Sequence, residues 1–319
     1  MQEKKTTRVP YLITIILWEL YTVITLLIPP NLEAMARYHI TPESLHFIQL
    51  SIIIPTLFMW LILTYAVTKL YQYTKHLKGS AEERGYTLIG FGLQTFFVQA
   101  IVGAFVSLAF QYADQAGILE SLGGKQITTI VQNYMNVLFS IVAYTFFFYG
   151  SRKLLAILPA INITQGKKRM MSVLLSLGVI AFSVAYMVLV FSNPYRNTSP
   201  SKDIISPYSL PDSLILFSIV IPYLIAWSFG VFSMKNILLF RTYVAGIVYR
   251  QALRNFVLGI SLIIALTLVL QLIIQFTTFW SAATLNAILV FIYVIYFVVL
   301  VGYLLVASGA KSLSKMEEI

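Results

Sequence analysis

Apolar residues fill long blocks of this chain, and polar residues are confined to the gaps between them. Eight blocks can be read, at about 10–29, 46–72, 87–111, 128–158, 170–192, 213–239, 256–278 and 283–308. A helix rises about 1.5 Å per residue, so each block is long enough to cross a hydrocarbon layer of about 30 Å. A surface helix of a soluble domain shows an apolar stripe, whereas these blocks are apolar on nearly every side. The pattern predicts an all-α integral membrane protein with eight transmembrane helices.

The blocks also repeat. Residues 51–60 read Ser-Ile-Ile-Ile-Pro-Thr-Leu-Phe-Met-Trp, and residues 218–227 read Ser-Ile-Val-Ile-Pro-Tyr-Leu-Ile-Ala-Trp, at an offset of 167. At the same offset Gly79 meets Gly246 and Gly92 meets Gly259. Upstream, Pro42-Glu-Ser-Leu resembles Pro211-Asp-Ser-Leu, and both read as helix starts, where proline fits the first turn and an acid favours the positive end. Tyr144 and Gly150 line up with Tyr296 and Gly302 at an offset of 152. A longer loop near 112–127 in the first half, against a tight turn near 279–282 in the second, explains the change. The expected organisation is two tandem four-helix units, 1–169 and 170–319. Four spans per unit is an even number, so the units are parallel, related by a pseudo-two-fold axis along the membrane normal.

Charge placement sets the orientation. With the N-terminus inside, 18 of the 22 Lys and Arg residues fall in inner segments, leaving Arg37, Lys125, Arg196 and Lys202 outside. This positive-inside distribution predicts both termini cytoplasmic, in the plasma (cytoplasmic) membrane. It also accounts for the net charge of +10 through contact with anionic lipid, so no nucleic-acid partner is expected. The chain is 59% hydrophobic and 11% charged, which excludes a soluble globular protein. Lys4, Lys5 and Arg8 before the first block resemble a signal sequence, but the block is as long as a full span and is expected to stay uncleaved.

Within the blocks, polar side chains are few. Glu19 is the one acid that falls mid-block, in Leu-Trp-Glu-Leu-Tyr. A carboxylate at a span centre costs roughly 2.5–3.5 kcal/mol on the insertion scale, so it is expected to face a partner or water and makes a candidate proton or cation site. Candidate polar-path residues are Gln94, Gln99, Gln132, Asn133, Asn136, Gln271, Gln275 and Asn286. Amides in lipid also serve as interhelical glue. Pro55 and Pro222 are expected to bend spans two and six, with Ser51 and Ser218 four residues earlier at the freed carbonyls. Lys69 and Lys235 are expected to snorkel from the inner ends of the same spans. The inner connectors 73–86 and 240–255 are expected to be helical and to lie on the leaflet, and Arg250 and Arg254, four apart, mark a candidate docking face.

Several chemistries lack their residues. The chain has no cysteine, and its histidines (His39, His46, His76) sit at or beyond block edges, away from haem or zinc-protease positions. There is no phosphate-binding glycine loop, no Gly-x-Ser-x-Gly and no intramembrane Asp pair. No enzyme activity, cofactor or metal is expected. Two functions fit. One is a small transporter or channel-like protein for an ion or solute, with its site between the kinked spans and Glu19 as the titrating group. The other is a non-catalytic scaffold or sensor subunit that binds a membrane or cytoplasmic protein.

Overall fold

The computed structural model describes residues 9–27, 42–118, 125–158, 165–191, 216–244, 246–277 and 282–316. These residues form eight α-helices and no strand. The first half contributes α1 (Val9–Leu27), α2 (Pro42–His76), α3 (Glu83–Gln115) and α4 (Lys125–Ile157). The second contributes α5 (Gln165–Phe191), α6 (Ile221–Tyr243), α7 (Ile247–Thr277) and α8 (Ala282–Met316), with one π-helical turn, Leu216–Val220, leading into α6. Among the described residues six helices are long and apolar enough to cross a membrane: α1, α2, α3, α6, α7 and α8. Those outside that set are α4, which carries four amides early (Gln126, Gln132, Asn133 and Asn136) and Arg152-Lys153 near its end, and α5.

Local chemistry explains the helix ends. Pro42 opens α2, as its fixed φ allows. Lys75 and His76 close it, where positive charge meets the negative helix end. The chain then reverses within residues 77–82. Gly79 takes φ +87°, which a side chain would resist, and its N–H donates to the Glu83 carboxylate at 2.7 Å. The α6–α7 reversal is tighter and uses Gly246 at φ +85°. The connectors 73–86 and 240–255 are therefore mostly helix ends, interrupted only at 77–82 and between Tyr243 and Ile247. Arg250 and Arg254 belong to the first two turns of α7 and are exposed.

The two prolines act differently. Pro55 lies inside α2, which continues through it. Pro222 stands in the first turn of α6, where its missing N–H costs little, and the widened turn Leu216–Val220 absorbs the chain before it. The bend expected inside span six at Pro222 thus takes the form of a π turn directly before it. Ser51 and Ser218 lie in α2 and the π turn, and their side chains fall outside the described ones.

Packing runs in two tight hairpins, α3 on α4 and α7 on α8, joined by α4 on α6 and α8 on α2. α1 rests on α2 and more lightly on α3, and α5 rests lightly on α6. Each hairpin closes where backbones nearly touch. A methyl group on Gly150 would fall 2.7 Å from the Gly85 carbonyl oxygen, and one on Gly259 would fall 2.5 Å from that of Gly302. Ile89 packs on the first crossing and Ile263 on the second. Small residues are what permit such approach in lipid. By contact, then, Gly259 corresponds to Gly85, not to Gly92, which instead meets Phe147 and the Ala143 carbonyl. The sequences agree, Gly85-Tyr-Thr-Leu-Ile89 against Gly259-Ile-Ser-Leu-Ile263. α7 thus carries seven more residues, about two turns, between its turn glycine and its crossing glycine than α3 does.

Candidate functional site

Glu19 sits at the centre of α1. The packed face of that helix is Thr14, Trp18 and Tyr21, spaced four and three apart. The Thr14 and Thr64 hydroxyls are 2.7 Å apart and buried, and Trp18 Nε1 donates to the Ile53 carbonyl at 3.1 Å. Tyr21 packs its ring on Trp60 and Phe105. One residue along a helix is a rotation of about 100°. Glu19 therefore leaves this face and is exposed. It does not lie between α2 and α6. The centre of the bundle is filled by buried Tyr144 and Phe147 of α4 and Tyr303 and Val306 of α8, packed with Ala66 of α2 and Ala226 of α6.

Of the amide candidates, the structure brings two together. Gln99 Nε2 donates to Asn136 Oδ1 at 3.1 Å, linking α3 to α4. Gln94 is exposed beside an open groove of about 420 Å³ between the same helices, walled by Phe91, Val98, Leu138, Val142 and Phe146. Gln132 and Asn133 in α4, Gln271 and Gln275 in α7, and Asn286 in α8 have side chains outside the described ones.

Two polar clusters were not foreseen. At the end of the bundle where α2, α3 and α7 meet, Tyr249 Oη donates to Glu82 Oε2 at 2.5 Å. Tyr249 Oη also lies 3.0 Å from Tyr86 Oη and 3.4 Å from Tyr73 Oη. The Tyr73 and Tyr86 rings meet edge to face at 5.0 Å, and Phe256 backs Tyr86 at 5.6 Å. Tyr73 and Tyr86 are fully buried. Tyr249 reaches this place because it rides on the extra two turns of α7. The second cluster is Lys235, which is only 8% exposed and donates to Ser172 Oγ at 2.6 Å. It therefore does not snorkel. The α6 backbone turns it inward, toward α5, and its neighbour Asn236 reaches Ser151 of α4 at 3.4 Å. Lone tyrosines and lysines near helix ends give no sequence signal of convergence. The one available hint was an acid, Glu82, beside the reversal glycine.

Among the described residues no three His, Asp or Glu side chains converge as a metal site would require. Comparison with protein-family models, with curated proteins and with solved structures gave no match. The class these observations define is an all-α protein whose long apolar helices suit a bilayer.

Proposed function

We propose that the protein is a non-catalytic assembly subunit, or scaffold, of the plasma membrane. In this reading it spans the bilayer eight times as two parallel four-helix units, with both termini cytoplasmic. The matched crossings Gly85/Gly150 and Gly259/Gly302 support the duplication. So do the reversal glycines Gly79 and Gly246, which share one backbone conformation. The exposed Arg250 and Arg254 belong to the cytoplasmic end, where a soluble partner or anionic lipid would meet them.

The observation that carries the proposal is the outward position of Glu19. A transport carboxylate needs an aqueous route, and routes through helical bundles run between packed units. Glu19 instead stands on the flank, and close-packed aromatic side chains fill the middle. The transporter or channel-like reading keeps one supporting observation, that this carboxylate is central in α1. The two separate in sealed liposomes. Proton and monovalent-cation flux is expected to equal that of empty vesicles, for both the native protein and Glu19→Gln. Flux that the native protein adds and Glu19→Gln abolishes would restore the transport reading.

A further inference from the structure

We infer that the outer face of α1 binds a transmembrane helix of another protein that carries a single Lys or Arg at mid-membrane. This rests on the assembly reading and names its partner. α1 is 19 residues long, and Glu19 stands ten residues from one end and eight from the other. That places its backbone about 12–15 Å from either helix end, roughly the half-thickness of the hydrocarbon layer. A glutamate side chain spans far less than this, so its carboxyl group cannot reach either interface.

The inward faces offer it nothing. Trp18 and Tyr21 occupy the packed side, and among the described residues no hydrogen bond or ion pair reaches Glu19. Its neighbours on the outer face are Leu12, Ile16, Val23 and Leu26, each more than half exposed. With Glu19 they recur at intervals of four, three, four and three, the seam of a helix–helix contact. An apolar seam alone would simply face lipid. The carboxylate at its centre distinguishes it, because hydrocarbon penalises that group and an opposite charge at the same depth removes the penalty. The chemistry that recognises this face is therefore a cationic side chain on an otherwise apolar helix. A second copy of this chain would set carboxyl against carboxyl and is the competing occupant.

The absence of cysteine makes the test clean. A donor dye is placed on Ser80→Cys, an exposed turn position. Acceptor-labelled peptides are added in phosphatidylcholine vesicles: a Leu/Ala transmembrane helix with one central Lys, and the same helix with Leu there. Energy transfer is expected with the Lys peptide and to be competed by its unlabelled form. Association should weaken about tenfold in Glu19→Gln and further in Glu19→Leu, the scale of one polar interhelical contact. Equal transfer to both peptides, or to native protein and Glu19→Leu alike, overturns the inference. Glu19-dependent transfer between two labelled copies that the Lys peptide fails to compete overturns it in favour of self-association. Those results leave the scaffold reading standing, whereas Glu19-dependent flux in liposomes removes that reading itself.

Discussion

A phenolic hydroxyl has one proton to give and two lone pairs to fill. At Tyr249 all three are engaged: it donates to Glu82 and accepts from Tyr86 and Tyr73. Losing that oxygen takes a hydrogen bond from the half-buried Glu82 and an acceptor from the buried Tyr86 hydroxyl. Tyr249→Phe is therefore expected to cost about 1–3 kcal/mol, read as a lower melting temperature in detergent. Tyr86→Phe removes a donor to Tyr249 and leaves the bond to Glu82 intact, so it should cost less. Equal losses for the two variants would mean that the hydroxyls do not form this ordered chain. A double-mutant cycle between Tyr249→Phe and Glu82→Gln should show coupling, since the two groups share one bond. None of this was legible in the sequence, where 20 tyrosines and 12 acids offer too many pairings to single out one.

At the scale of elements, the helices themselves were legible. A block edge is set by where charge and turn residues begin, and the expected block 10–29 meets the helix Val9–Leu27 within two residues, whereas 256–278 starts nine residues after the helix that begins at Ile247. Which face each helix buries was not legible. Lipid accepts the same apolar side chains as a protein interior, so periodicity cannot tell an inner face from an outer one. Glu19 shows that ambiguity: its place at the centre of α1 was legible and its outward face was not. Glycines make the distinction testable. Gly259→Ala drives a methyl against the Gly302 carbonyl and should destabilise by about 1–3 kcal/mol. Gly178→Ala in α5 enters open space and should be neutral or stabilising by up to about 1 kcal/mol, from helix propensity. Thermal unfolding of the two variants reads both signs, and a harmless Gly259→Ala would mean that α7 and α8 do not cross there.

For the whole molecule, the pairing of α4 with α6 and of α8 with α2 is the exchange expected of two like units. Trp60 and Trp227, which the 167-residue offset pairs, are both buried. At Gly92 the 167-residue offset departs from the contacts, because α7 has seven more residues between Gly246 and Gly259 than separate Gly79 from Gly85. Sidedness tests the parallel arrangement. In sealed vesicles a membrane-impermeant maleimide should label Ser80→Cys and Thr242→Cys from one side and Ala116→Cys from the other. Labelling of Ser80→Cys and Thr242→Cys from opposite sides would rule out parallel units.

The long separation of Tyr86 from Tyr249 also matters while the protein is being made. The ribosome adds Tyr249 163 residues after Tyr86. At about 5–20 residues per second, that is an interval of roughly ten to thirty seconds. Throughout it Glu82, Tyr73 and Tyr86 already stand in the growing chain without the hydroxyl that completes them. The cluster at this end of the bundle therefore forms only after α7 has been made, and a chain interrupted before α7 lacks the hydroxyl that joins Glu82 to Tyr86.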